Sequence, residues 1–209
     1  MELTVLLAFT VASALISLAP GPDMMFIIAN GIARGRRAGV IAALGMSTGI
    51  AIHTVAAAAG LGALLAAAPV ALDVMRILGA VFLVYLAITT LRASRKAAAA
   101  PETPVPQRSL RKMYAMAVLT NLSNPKVILF YLAFFPQFIH QPGWPAWVQF
   151  LVLGGILICV GLCVDATVGF VSGALSEFLV RRPAIRRWMD RVSAAIFGAL
   201  AVRLVANPQ

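Results

Sequence analysis

LISLAPGPDMMFII (residues 15–28) interrupts a long apolar stretch with Pro20, Gly21 and Pro22, and the acid Asp23 follows at once. Proline inside a helix removes a backbone hydrogen bond and its ring clashes with the preceding turn. A carboxylate within an apolar span adds a solvation cost. The chain thus severs a hydrophobic helix and charges the break at one spot. How that is read decides the fold.

Composition identifies the surrounding solvent. Of the 209 residues, 61% are hydrophobic and 11% charged, with a mean hydropathy of +0.93. Soluble domains carry about 25% charged residues, so this chain cannot solvate its own surface. Its apolar runs of the length that spans a bilayer imply an all-α integral membrane protein. The length suits one transmembrane domain, residues 1–209. The opening MELTVLLAFTVASALISLAPG has Glu2 where a signal peptide has basic residues, so it is read as a span. The net charge of +10 lies in short blocks between apolar segments, a topology signal. No basic face for nucleic acid is expected. Cys159 and Cys163, four apart in one apolar segment, read as small packing residues.

Working outward from the break, six spans are expected, near residues 3–33, 39–68, 70–91, 112–139, 146–180 and 188–206. The first and fourth are interrupted; the sixth has the shortest charge-free core, and an interfacial helix is the alternative there. Fourteen of the 17 basic residues fall in one alternating set of loops: Arg34 to Arg37, Arg92 to Lys112, and Arg181 to Arg191. The positive-inside rule assigns those loops to the cytoplasm. Both termini then face outward. A Pro- and Ala-rich linker, 97–109, separates repeat one (1–96) from repeat two (110–209). Three spans in each half put the second half into the membrane upside down, an inverted repeat of the kind secondary transporters use.

The halves share features. APGPDMMFI aligns with LSNPKVILF, placing Pro22 over Pro125 and Asp23 over Lys126. In the second spans, Gly45, Gly49 and His53 share one helix face, as do Gly161, Asp165 and Gly169. The glycines allow close helix packing, and each ridge carries one titratable group. A broken helix exposes carbonyls with partial negative charge and amides with partial positive charge. Such groups persist at membrane depth only around an enclosed cavity. Two breaks meeting there suit a small zwitterion: its carboxylate at free amides and Lys126, its ammonium at Asp23 and free carbonyls. Asp165, with His53 or Asp23, is the candidate proton carrier. A lone proline kink is often only structural, and His53 also reads as a hydrogen-bonded core residue.

These stretches resemble the LysE/RhtB family of amino-acid exporters. The likeness rests on PGPD in the first span, GRRAGVIAALGMSTG, GAVFLVYLAITTLR, and NLSNPKVILFYLAFFPQF in the fourth. It runs over essentially the whole chain. It implies a six-span protein of the bacterial inner membrane that exports an amino acid using an ion gradient. The family's PGP falls on Pro20, Gly21 and Pro22, and its NPK on Asn124, Pro125 and Lys126. Ala87 stands where the family often has glycine, two residues after Tyr85. The expected function is therefore amino-acid export by proton antiport, with no enzymatic activity, cofactor or metal, and with a homodimer as the expected assembly. The alternatives are a membrane-embedded thiol–disulfide carrier, for which both cysteines lie in one half, and a metal- or other small-ion exporter, for which ligands are sparse.

Overall fold

The computed structural model describes residues 1–67, 109–139 and 143–181, together with single helical residues between 77 and 92 and between 188 and 202. The expected third and sixth spans and the linker at 97–109 fall largely outside the described residues. Every regular element among the described residues is helical. Helix α1 covers Leu3–Leu18, α2 Pro22–Arg34 and α3 Arg36–Ala67; after the linker come α4, Leu110–Leu122, and α5, Pro125–Leu129. A π-helical turn at Phe130–Phe134 and a 3-10 turn at Phe135–Phe138 continue α5, and α6 spans Ala146–Arg181.

The two interruptions fall where the prolines require them. Pro22 and Pro125 each occupy the first turn of the new helix, where a missing N–H costs nothing. Residues before proline are driven out of the helical region. Ala19, Gly21 and Asn124 accordingly have extended backbone. The axes bend by 55° between α1 and α2 and by 46° between α4 and α5 with its continuation. Arg36–Gly60 and Ala146–Ser172 are long and apolar enough to cross a bilayer alone; with each bent pair taken as one span, the described residues hold up to four. At the other end of α2, Gly35 has φ +85 and lets α3 start at once.

Glycines set the helix packing. α3 and α6 pack against each other most extensively, and they run antiparallel. Gly39 abuts Gly169, Ile50 faces Gly161, and Thr54 abuts Gly154. A Cβ on Gly39 would lie 2.7 Å from the Gly169 Cα, so backbone meets backbone here. α3 runs parallel to α4: Gly45 lies against Ala117, and Gly49 against Asn121. The α1–α2 pair runs antiparallel to α4–α5. Phe9 packs on Phe135 and Phe138, and Arg34 reaches Met113. Around Phe9, an aromatic cluster of Phe130, Phe134, Phe135, Phe138 and Phe150 closes one end of the bundle. Pro136 cannot donate to the carbonyl four residues back, and the helix widens and then tightens around it. That irregular turn aims Phe130, Tyr131 and Phe134 inward, where all three are buried.

Candidate functional site

The two interruptions meet. From α5, the Lys126 ammonium donates to the carbonyls of Ile16 at 3.1 Å and Ala19 at 3.0 Å, at the end of α1. A cation is the natural partner for a helix C-terminus. From α4, Asn121 Nδ2 donates to Asp23 Oδ2 at 2.7 Å. Both residues are buried, and Asp23 Oδ1 has no partner among the described residues.

The breaks differ in how they satisfy their own backbone. At the second, Asn124 is a helix cap: its Oδ1 accepts the Lys126 amide at 3.0 Å, and its carbonyl accepts those of Val127 and Ile128. At the first, Gly21 offers no side chain, and the first internal bond of α2 is Met25 N to Gly21 O. The amides of Asp23 and Met24 therefore lack an acceptor among the described residues. The second break is closed upon itself. The first stands open on its amide side, while its carbonyl side is covered by Lys126 rather than left free for a solute.

Between them lies a cavity of about 40 Å³, with room for a few waters. Its polar lining is Ser17, Asp23, Lys126 and Asp165. The apolar wall comes from Ile16, Met24, Ile50, Val127, Phe130 and Leu157, and Gly161 leaves space beside Ser17. Asp165 is 8% exposed and has no hydrogen-bond partner among the described residues. It lies within electrostatic reach of Lys126 and Asp23.

Of the residues singled out from sequence, the structure thus brings Asp23, Lys126 and Asp165 to one cavity, with Pro20, Gly21, Pro22, Asn124 and Pro125 shaping the breaks. His53 does not line it. Its ring stacks on Tyr131 with centroids 5.6 Å apart, and Nε2 is buried without a partner among the described residues. It remains within electrostatic reach of Asp23. Gly45 and Gly49 seat α4, Gly161 faces the cavity, and Gly169 seats α3. Cys159 and Cys163 are exposed. Among the described residues no group of three or more His, Cys, Asp or Glu is placed to hold a metal.

Sequence reasoning missed Asn121, which holds Asp23, and Tyr131. The Tyr131 and Thr54 hydroxyls stand 2.7 Å apart and share the Ile50 carbonyl at 3.2 and 2.9 Å. A signal existed for Asn121: an amide one turn ahead of Asn124 in an apolar run needs a buried partner.

The chain is similar to known proteins over most of its length. A family model described as LysE type translocator matches residues 14–207. An uncharacterized membrane protein of Vibrio cholerae is 36% identical over 200 residues, covering 94% of each chain. A leucine efflux protein of Salmonella choleraesuis is 34% identical over 201 residues, covering 95% of this chain and 92% of its own. Another leucine efflux protein, from Klebsiella pneumoniae, is 31% identical over 205 residues, covering 95% and 93%. No solved structure matches.

Proposed function

The chain belongs to the LysE type translocator family, and on that premise we propose that it exports leucine or a similar neutral amino acid from the cytoplasm in exchange for protons, through the cavity between its two broken helices. It is a membrane transporter and not an enzyme. The observation that carries the proposal is the junction of the breaks, where Lys126 ties one half to the other beside the unpaired carboxylate of Asp165. The free amides of α2 suit a carboxylate, and Asp23 and Asp165 suit an ammonium. The aliphatic wall of Ile16, Met24, Ile50 and Leu157 suits a leucine-like side chain. The relatives named for leucine efflux point the same way.

The antiparallel course of the two broken pairs, each with its charge directly behind a proline, supports two inverted repeats in a six-span bundle. The arginine-rich loops support a cytoplasmic linker with both termini outside, in a bacterial inner membrane. Since the cavity accepts only a few waters, loading an amino acid requires its walls to part. In that orientation the outer wall is the aromatic cluster around Phe9. The inner wall is the seam where Gly31 abuts Ser172 and Gly39 abuts Gly169. Opening them in turn around a fixed site is alternating access. Asp165 takes up a proton from outside and releases it inside, with Asp23 and His53 as neighbouring carriers.

Counterflow in proteoliposomes with a panel of labelled amino acids, with and without a pH gradient, tests this reading. Leucine exchange without a gradient and uphill movement with one are expected. Exchange of none of the amino acids would overturn it.

A further inference from the structure

The cavity holds one carboxylate to which the protein gives no partner. Asp165 is more than nine-tenths buried, lines the cavity, and makes no hydrogen bond among the described residues. The cation within its electrostatic reach, Lys126, directs two of its three donors to the Ile16 and Ala19 carbonyls rather than to Asp165. The other acid, Asp23, is held by Asn121. The cavity lining thus contains two acids and one ammonium, which leaves place for one further positive charge. We propose that Asp165 receives the α-ammonium of the transported amino acid and the coupling proton by turns, so that each excludes the other. This rests on the exporter reading given above and refines it.

The groups facing Asp165 support a single shared seat. From α2 comes Asp23 and from α5 Lys126; α1 contributes Ser17 and α3 contributes Ile50, neither of which titrates in the working range. His53 stands apart, against Tyr131. The amino acid's carboxylate goes to the Asp23 and Met24 amides, close to Lys126. Gly21 keeps that approach open, since even a Cβ there would sit only 3.4 Å from Lys126 Nζ. When Asp165 is protonated, the ammonium meets a neutral acid and loses its charge partner. When the ammonium is seated, the proton has left. One proton then exchanges for one amino acid at the same carboxylate.

The test uses the purified full-length chain and L-leucine, with heats of binding measured in buffers of different ionisation enthalpy between about pH 5 and about pH 8. Leucine binding to the wild type should release protons, approaching about one per leucine toward the acid end, where affinity falls about tenfold per pH unit. Asp165→Asn should weaken leucine binding roughly 30-fold or more and abolish the proton release. Asp165→Glu should keep both. The analogue 4-methylpentanoate, which is leucine without its amino group, should bind wild type and Asp165→Asn alike.

Asp165→Asn that binds leucine as tightly as the wild type overturns the proposal. So does wild-type binding that releases no protons anywhere in that range, a result that decides the matter even if the variant does not fold. Failure of the exporter reading looks different: the wild type then shows neither leucine binding nor counterflow of any amino acid. Intact counterflow with no linked proton release overturns the shared seat alone.

Discussion

Replacing Lys126 with methionine keeps the length of the side chain and removes its donors. Two hydrogen bonds disappear, at 3.1 and 3.0 Å, and the Ile16 and Ala19 carbonyls lose their partner. A hydrogen bond from a charged group contributes about 1.5–3 kcal/mol. Two effects reduce the loss: cavity water can reach the orphaned carbonyls, and removing a half-buried ammonium relieves its desolvation. A net destabilisation near that of a single such bond, about 2–3 kcal/mol, is expected. For a chain of this size that corresponds to a fall in Tm of about 4–12 °C. Thermal unfolding in a mild detergent measures it, with Gly21→Ala as the control. The Gly21 backbone is extended at φ −161, and the added methyl would only touch Lys126 Nζ at 3.4 Å. That control should stay within about 0.5 kcal/mol of the wild type. A Lys126→Met protein as stable as the wild type would refute the claim that this side chain ties the two breaks together.

Gly39→Ala and Gly169→Ala should each cost about 1–3 kcal/mol, because the new methyl meets the backbone of the facing helix; thermal shift reads this. Gly155→Ala, which meets nothing within 4 Å, should gain up to about 1 kcal/mol from helix propensity in the same assay. Tyr131→Phe should lose about 0.5–1.5 kcal/mol, since its hydroxyl bonds to Thr54 and Ile50 disappear, again by thermal shift. Cys159→Ala with Cys163→Ala should leave counterflow unchanged, both side chains being exposed; loss of transport would revive a thiol-based mechanism.

The severed helices were legible because proline chemistry is local. Pro22 and Pro125 each begin a helix, and the spans expected at 39–68 and 146–180 lie close to Arg36–Ala67 and Ala146–Arg181. Partnerships across the bundle were not legible in the same way. The sequence pairing of Asp23 with Lys126 suggested two equivalent breaks, each offering free carbonyls and amides. In the structure Lys126 covers the α1 carbonyls, a contact between residues 110 positions apart, which no local pattern encodes. The inequality of the breaks had a visible source in the aligned pair Gly21 and Asn124, because asparagine caps its own helix and glycine cannot. Helix period put His53 on one face of α3 with Gly45 and Gly49, yet its side chain does not line the cavity and its ring stacks on Tyr131. The irregular turn that carries Tyr131 inward has no periodic signature.

The most direct test is a cryo-electron microscopy structure of the chain in lipid nanodiscs with saturating L-leucine. Density for the amino acid should lie between Gly21–Met24 and Asp165, beside Lys126, with its side chain toward Ile50 and Leu157. Leucine density away from residues 20–24 and 124–126, or breaks lying apart with their charges turned to lipid, would contradict the account.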